Sequence, residues 1–266
     1  MTDIHIAYGI SPDNWFNSCH FSIVSILLNA RPEDNYHFHI LSKEFPEDVL
    51  NKFYSLSNLR QATFDFHVID PEDFKGIVHD HILGESAYYR LKMPSFIQQD
   101  KCLYLDADTM VVKDISELYN INVDNYFAGM VEDKSSATMR CRCSEVLKEG
   151  ATFFNSGVML LNLKAIRAGY LEKAWFDILK THKYTDQDAI NHVFCGRILS
   201  LPLKYNIVPI LSGTVYETRL KEYIFALKDP TIVHPPFYQD IVEIKNLYNE
   251  YRCKYDKVMN ELGLKY

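Results

Sequence analysis

Long apolar runs are missing from the sequence. Its longest apolar stretches, such as residues 23–28 and 158–161, fall far short of the roughly 20 residues that a membrane-spanning helix needs. The first ten residues also lack a basic region followed by an apolar core, the pattern of a secretory signal. We therefore expect a cytoplasmic protein, in at most peripheral contact with the inner face of a membrane.

The sequence also lacks an excess of positive charge and a cysteine spacing typical of disulfide frameworks or zinc sites. The chain carries 28 lysines and arginines against 35 aspartates and glutamates, a formal net charge of -7. It lacks the basic field that attracts a protein to a phosphate backbone, so nucleic acid is not expected as a partner. The six cysteines are scattered, with one C-x-C at residues 141–143. This pattern predicts reduced structural thiols rather than disulfides or a zinc site.

What the sequence does have is an alternation of strand-like and helix-like periods in an ordinary globular composition, 47% apolar and 24% charged. Such alternation predicts a largely parallel sheet covered by helices on both faces. Residues 134–151, polar and poor in apolar side chains, are predicted to form a loop or lid. Strands are predicted at residues 4–8, 36–41, 63–69, 101–105, 126–131, 153–161 and 198–203, and helices around residues 21–28, 47–53, 87–97 (broken or kinked by Pro94), 164–180, 188–194 and 241–262.

Two carboxylates stand where the predicted strand 101–105 stops. Asp106 and Asp108 are one residue apart, and a core does not tolerate both unless a positive group lies between them. Ligands of open α/β sheets bind at the carboxyl ends of the strands, so a divalent cation is the economical partner. On spacing alone, a solvated turn or a helix cap would be the better interpretation, because aspartate favours such turns.

The residues around this pair change that interpretation. The segment 104–108, Tyr-Leu-Asp-Ala-Asp, resembles the D-x-D signature of glycosyltransferase family 8, whose retaining enzymes include bacterial lipopolysaccharide galactosyl- and glucosyltransferases and glycogenin. The five matching blocks lie in order between about residues 3 and 234. The other four blocks are Asp13-Asn14-Trp15 with the helical segment 22–27, Tyr88-Tyr89-Arg90-Leu91, Phe154-Asn155-Ser156-Gly157-Val158, and Asp186-Gln187-Asp188-Ala189-Ile190-Asn191.

The resemblance implies a fold and an activity. The fold is a single GT-A-type, Rossmann-like nucleotide-sugar-binding domain over residues 1–240, with a mixed, mostly parallel sheet and a helical extension over residues 241–266. The activity is metal-dependent, retaining transfer of galactose or glucose from a UDP-sugar to a saccharide or glycolipid acceptor, in the synthesis of lipopolysaccharide or another surface glycan. Two mechanisms give retention. Asp188 is the candidate nucleophile for double displacement, and Gln187 the candidate group behind the developing cation in front-side attack.

The implied metal site adds an imidazole to the two carboxylates. His234, which follows the apolar segment 231–233, stands where the family has its metal-binding histidine. A metal bridging the two phosphates would offset the charge of the nucleotide leaving group as a Lewis acid. Oxygen ligands suit Mn²⁺ or Mg²⁺, and the imidazole favours Mn²⁺. After His234 the chain departs from the family, because residues 235–240 contain no lysine to contact the diphosphate and Lys245 is distant.

The resemblance also implies residues that bind the donor. Trp15 would stack on uracil, Arg90 would reach the donor and neutralise a carboxylate, and Asp133 would accept hydrogen bonds from the sugar. Purely structural roles stay open for four residues: an ordinary aromatic at Trp15, a surface ion pair at Arg90, and helix caps at Asp186 and Asp188. The full donor-binding set is Tyr8, Asn14, Trp15, Arg90, Asp106, Ala107, Asp133, Asn155, Ser156 and Asp186.

Two other functions compete with this hypothesis. A sugar nucleotidyltransferase would also join a metal, a nucleotide and a hexose, but it usually has a glycine-rich phosphate loop after its first strand. Residues 8–12 contain one glycine, and the whole chain contains ten. A catalytically silent protein that binds carbohydrate or a nucleotide sugar is the second alternative, suggested by the missing lysine after His234.

Overall fold

Alternating strands and helices build the first half of the fold, as predicted. The computed structural model describes residues 1–12, 15–77, 84–133, 146–147, 150–208, 222, 225–234 and 241–264. Apolar side chains at every second position drive the strands, and a stripe at helical spacing drives the helices that cover them. In chain order, the elements are β1 (Asp3–Gly9), α1 (Trp15–Asn29), β2 (Asn35–Ser42), α2 (Glu47–Ser55) and β3 (Ala62–Val68).

A seven-stranded mixed sheet forms the centre of the described part of the chain. Its order is β3-β2-β1-β4-β7-β6-β8, where β4 is Lys101–Leu105, β6 Ala128–Glu132, β7 Phe154–Asn162 and β8 Ile198–Ser200. β7 runs antiparallel to β4 and β6, whereas the remaining pairs are parallel. The predicted α/β fold with a mixed, mostly parallel sheet is therefore confirmed.

The sheet order directs several segments to one edge. β1 pairs with β2 on one side and with β4 on the other, so the strand order reverses at β1. The carboxyl ends of the strands at such a reversal are a common ligand site. Because β7 is antiparallel to β4, the beginning of β7 lies against the end of β4, with Leu105 opposite Val158. A second, two-stranded sheet of β5 (Met110–Val111) and β9 (Ile232–Val233) returns the chain to the same edge.

Hydrophobic layers cover both faces of the central sheet. The layer with α1 and α2 also receives the terminal helix α8 (Val242–Glu261), which buries Ile244, Tyr251 and Tyr255. The remaining described α-helices are α3 (Met93–Phe96), α4 (Ser116–Tyr119), α5 (Leu163–Ala168), α6 (Leu171–Thr181) and α7 (Asp186–Phe194). The opposite layer packs α6 and α7 against the sheet through Trp175 and Phe194. In the described part of the chain, no helix is both long and apolar enough to cross a bilayer.

Two predicted helices are corrected by the structure. The single helix over residues 164–180 is wrong, because α5 ends before Gly169 and α6 begins after Tyr170, which has φ 53° and is 81% exposed. A left-handed residue cannot continue a right-handed helix, so the predicted stripe through position 170 is broken. In the region 87–97, a 3-10 helix (Glu85–Lys92) precedes α3. Pro94 lies in the first turn of α3, because proline can begin an α-helix but not continue one.

Some of the sequence-based predictions concern residues that the structure does not describe. Most of the loop or lid at 134–151, the C-x-C at 141–143, the pair Asp13 and Asn14, and the segment 235–240 after His234 belong to this group.

A ladder of histidines crosses the first three strands, outside the region where the segments converge. His5 Nδ1 lies 3.1 Å from His39 Nε2, and His39 Nδ1 lies 3.2 Å from His67 Nε2. His37 stacks on His5 with ring centroids 4.5 Å apart. Burial, with neighbouring histidines, lowers the pKa of His39 to about 3 and that of His5 to about 4. His5 and His39 are therefore neutral in the folded protein near neutral pH.

This ladder predicts acid destabilisation. Because the folded-state pKa values lie below the unfolded value of about 6.5, the unfolded chain binds more protons between about pH 6.5 and 4, and stability falls as pH is lowered through that window. The free energy of unfolding should decrease by about 1.4 kcal/mol per pH unit for each extra proton bound. Urea unfolding between pH 7 and 5 measures this slope.

The variant His39→Gln should give a shallower pH dependence than the parent protein, whatever its absolute stability. His182→Gln removes an exposed histidine outside the ladder and is the matched control. Equal slopes for the parent and His39→Gln would contradict the assignment.

Candidate metal and nucleotide-sugar site

Three side chains converge where β4 and β9 end. Asp106 follows β4 directly, and His234 follows β9, whose pairing with β5 brings it to the same place. His234 Nε2 lies 3.1 Å from Asp108 Oδ1 and 3.4 Å from Asp106 Oδ2. One ligand atom from each of these three residues lies within 4.8 Å of the other two. The structure thus brings together the residues predicted as metal ligands.

The charges of this trio favour a cation. Burial raises the pKa of Asp108, but His234 more than offsets this and the carboxyl pKa is lowered. Burial lowers the pKa of His234, but Asp108 reverses that shift and the imidazole pKa is raised. The carboxylates therefore stabilise a positive charge at His234 Nε2. A divalent ion bound here would take the place of the proton on Nε2. Two carboxylate oxygens and one imidazole nitrogen fit Mn²⁺ better than Mg²⁺, because Mg²⁺ prefers oxygen ligands alone.

The imidazole tautomer follows from a chain of hydrogen bonds. The Gly157 backbone N–H donates to Asn155 Oδ1 at 2.9 Å, which identifies that atom as an acceptor. Asn206 Nδ2 donates to the same oxygen at 2.7 Å, so Asn206 Oδ1 faces His234 Nδ1 at 3.3 Å. His234 Nδ1 therefore donates to Asn206, and Nε2 is the nitrogen that would exchange its proton for a metal.

Asn206 is the residue that the sequence-based analysis missed. It is completely buried and holds His234 through the ring nitrogen that faces away from the carboxylates. Its only sequence signal was a lone amide in the largely apolar segment 203–208. Such a residue stands out after folding, when a buried polar group must have a partner.

Gly157 lies where no side chain fits. A Cβ atom at this position would overlap the imidazole of His234 and stand 2.8 Å from Asp106 Oδ2. The backbone carbonyl of Gly157 also accepts a hydrogen bond from the Asp106 N–H at 2.8 Å. Strand β7 therefore approaches the candidate ligands closely because residue 157 is glycine.

Arg90 is the buried cation behind this trio. Its guanidinium is 2.7 Å from Asp106 Oδ1 and 3.2 Å from Asp186 Oδ2, and it stacks over the Tyr104 ring at 4.5 Å. Burial lowers the pKa of Arg90, but Asp106 and other anionic neighbours more than offset this and raise it. The predicted neutralisation of carboxylates by Arg90 fits these contacts. The alternative, a surface ion pair, does not fit, because the Arg90 side chain is only 7% exposed.

The segment 186–188 divides its polar groups between structure and site. Thr185 caps α7, and Asp188 completes a capping box by accepting from the Thr185 N–H at 2.8 Å. Asp186 is no cap, because its carboxylate is bound to Arg90. Burial raises the pKa of Asp186 to about 6, although Arg90 acts in the opposite direction.

The side chain of Gln187 is held in a defined orientation. Its Oε1 accepts from the Ser156 backbone N–H at 3.0 Å, and its Nε2 donates to Asp133 Oδ2 at 3.0 Å. Because a backbone N–H can only donate, the amide cannot be flipped without losing a bond. Gln187, Asp133 and Ser156 are therefore one connected group.

The residues predicted to contact the nucleoside differ in how far they are exposed. Tyr8 is completely buried, and its hydroxyl is 3.0 Å from Ser22 Oγ. The strand places the Tyr8 side chain in the core, and its contact with a donor stays a prediction. Trp15 is 42% exposed at the first residue of α1, and Ala107 is buried between the two carboxylates. Asn14 lies outside the described residues, and Lys245 is exposed on α8.

A small pocket opens next to Asp108. It lies between the first turns of α1, the loop after β4 and the terminal helix α8. The lining from α8, Tyr248 and Arg252, was not predicted. Its walls are formed by Asn17, Ser18, Phe21, Ala107, Asp108, Thr109, Tyr248 and Arg252.

Comparison with known proteins supports the same relationship. A model of glycosyl transferase family 8 matches residues 5–235. A lipopolysaccharide 1,2-glucosyltransferase from Escherichia coli is 28% identical over 239 residues, covering 86% of this chain and 69% of the relative. A lipopolysaccharide 1,3-galactosyltransferase from Salmonella typhimurium is 27% identical over 213 residues, covering 76% and 63%. The crystal structure of the galactosyltransferase LgtC with donor and acceptor sugar analogs aligns with a TM-score of 0.72 at 22% identity, covering 95% and 96%. At that identity the likeness shows a shared GT-A fold.

The close approach at Gly157 predicts a specific loss of metal affinity. In Gly157→Ala, the new methyl group would displace His234 from the carboxylates, and Mn²⁺ affinity should fall at least about tenfold. Titration calorimetry with Mn²⁺ measures this. Gly129→Ala is the control, because its Cβ meets the flexible end of Leu201 at 3.2 Å. Parental Mn²⁺ affinity in a folded Gly157→Ala protein would refute the close approach.

Asn206 should act as a positioning residue for His234. Asn206→Ala removes the acceptor of the Nδ1 proton, and Mn²⁺ affinity should fall by about 10- to 100-fold. Asn162→Ala, which removes another buried amide that caps α5, should destabilise the fold but leave Mn²⁺ affinity unchanged. If both variants lost metal affinity equally, the effect would be structural and the positioning role would be wrong.

Proposed function

The chain belongs to glycosyltransferase family 8, and we propose that it transfers galactose or glucose from a UDP-sugar to a saccharide or glycolipid acceptor with retention of configuration and with a divalent metal. The observation that carries this proposal is the convergence of Asp106, Asp108 and His234 at one edge of the sheet. The two lipopolysaccharide hexosyltransferases among the relatives support surface-glycan synthesis. We propose a cytoplasmic location, with the acceptor presented at the inner face of a membrane.

The chemistry of a sugar nucleotide explains why such a cluster is useful. Bond cleavage leaves negative charge on the diphosphate, and this chain has a net charge of -7. Bound by Asp106, Asp108 and His234, Mn²⁺ would supply the offsetting positive charge as a Lewis acid. Mn²⁺ is proposed over Mg²⁺ because the third ligand is an imidazole. Arg90 neutralises Asp106 and Asp186 from behind, which keeps the cluster from repelling the diphosphate as a whole.

The connected group around Gln187 is proposed to bind the donor sugar. Asp133 can accept hydrogen bonds from sugar hydroxyls, and the Gln187 amide is held beside it. Asn155 uses its Oδ1 inside the protein, so its Nδ2 is the group left for a hydroxyl. Ser156 contributes by orienting Gln187 and Arg90 rather than by a contact of its own.

Of the two retaining mechanisms, the contacts favour front-side attack. Asp188 is 1% exposed and its carboxylate completes the capping box of α7. A nucleophile on the far face would have to leave that box and expose the end of the helix. The Ser156 N–H and Asp133 hold the two ends of the Gln187 amide, and we propose that its Oε1, the negative end of the amide dipole, stabilises the developing positive charge on the sugar.

The proposal is tested by incubating the protein with a panel of UDP-sugars, with and without Mn²⁺, and measuring the release of UDP without an acceptor. We expect release from UDP-galactose or UDP-glucose that depends on Mn²⁺. Asp108→Asn should reduce it at least about 100-fold, because one ligand and its charge are lost. Asp100→Asn, at an exposed carboxylate, is the control and should behave as the parent protein.

Product analysis separates the alternatives. With a saccharide acceptor, nuclear magnetic resonance should show an α-linked product from the α-linked donor. Binding of UDP-sugar without any release would indicate a catalytically silent protein. Formation of a sugar nucleotide from a nucleoside triphosphate and a sugar phosphate would indicate a nucleotidyltransferase, and an inverted product would contradict retention.

A further inference from the structure

The pocket beside Asp108 has one wall that the family match does not include. The match ends at residue 235, and α8 begins at Val242. Nevertheless α8 packs against α1 and contributes Tyr248 and Arg252 to the lining. Asp108 faces both this pocket and His234, so a group in the pocket is adjacent to anything that the metal cluster holds.

Two aromatic rings contact the side chain of Arg252. Its guanidinium carbon lies 5.6 Å from the Phe21 ring centroid and 5.2 Å from that of Tyr255. It also reaches Asp256 one turn along the helix, at 3.7 Å. An ion pair at that distance on a helix surface is weak, whereas the stacked stem orients the side chain. The side chain is 36% exposed, which leaves a ligand room to approach.

The charges around the pocket indicate that Arg252 can bind an anion. Asp106 and Asp108 lie at the position proposed for the metal, and Asp186 lies behind Asp106 on the other side of Arg90. Arg90 is already bound to two of them and to the Ser156 carbonyl. Arg252 is the basic side chain among the described residues that line the pocket. A phosphate entering there would meet the guanidinium in a geometry that arginine binds through paired hydrogen bonds.

We propose that α8 completes the donor site and that Arg252 binds a phosphate of the nucleoside diphosphate. This inference rests on the proposed function, which supplies the ligand. The pocket measures about 100 Å³, enough for one small group such as a phosphate, whereas a whole sugar nucleotide must extend beyond it. Asn17 and Ser18 at its rim offer amide and hydroxyl groups to the same anion.

The test compares Arg252→Met, Arg252→Lys and Lys254→Met with the parent protein by calorimetric titration of UDP and of inorganic pyrophosphate, both with Mn²⁺. Methionine keeps an apolar stem over Phe21 and removes the charge. Lys254 lies on the same helix, pairs with Glu250 at 2.7 Å and is not among the described lining residues, so Lys254→Met matches the loss of one positive charge. Thermal unfolding of each variant reports whether α8 remains packed.

We expect Arg252→Met to weaken both ligands about tenfold, the effect of losing one charge-assisted hydrogen bond. Arg252→Lys should lose less, and Lys254→Met should stay within about twofold of the parent, since a distant surface charge is screened by salt. The affinity of Arg252→Met should also depend less on ionic strength than that of the parent, which a purely structural role of Arg252 would not produce.

Other results would overturn the inference. Parental affinities in Arg252→Met, or equal losses in Arg252→Met and Lys254→Met, would show that Arg252 contacts no phosphate. If Arg252→Met failed to fold, unchanged affinity in Arg252→Gln would do the same. If the parent bound pyrophosphate but not UDP, the proposed function would fail while the pyrophosphate titration still decided the role of Arg252. Binding of neither would overturn both.

Discussion

The gathering of carboxylates at one edge of the sheet is the constraint on which the rest of the structure depends. Asp106, Asp108 and Asp186 lie in a largely buried region, where uncompensated charge is costly. Arg90 compensates two of them from inside the protein, and His234 compensates the other side. The cation is therefore not an addition to a finished pocket, since the carboxylates already favour positive charge at the position it would occupy.

The topology of the sheet serves this constraint. An all-parallel sheet would bring only strand ends to the edge, and the backbone after each strand would turn away. Here β7 runs in the opposite direction, so its first residues lie against the end of β4 and Gly157 can touch both Asp106 and His234. The short β5–β9 pair then brings the imidazole from far along the chain. One reversed strand thus makes possible a site assembled from distant segments.

The way this fold handles phosphate follows from its composition. Proteins with a glycine-rich loop bind phosphate with backbone N–H groups at a helix start. This chain has no glycine between β1, which ends at Gly9, and α1, and we propose that metal and guanidinium charge replace that loop. The terminal helix, outside the family match, offers such a guanidinium in Arg252.

The histidine ladder shows how far side-chain chemistry can lie from function. Its members are the same residue type as His234, yet each ring is paired with another ring or an exposed polar group. Alternation along β1, β2 and β3 places them in a row across parallel strands. Burial keeps His5 and His39 neutral, whereas the carboxylates around His234 draw a positive charge to it.

Local periodicity and composition determined much of this protein. The strands β1 to β4, the terminal helix and the α/β class could be predicted, because hydrophobic spacing is written along the chain, and the position of Asp106 and Asp108 after a buried strand marked that pair. The mixed sheet and His234 as a third ligand were predicted only from the resemblance to the family. The break at Tyr170 could not, since it depends on a left-handed residue at a chain reversal. Nor could the core position of Tyr8, the link from Asn206 to His234, or the place of Arg252 beside Asp108. Those are contacts between segments far apart in sequence, and they exist only once packing has decided which buried polar groups become neighbours.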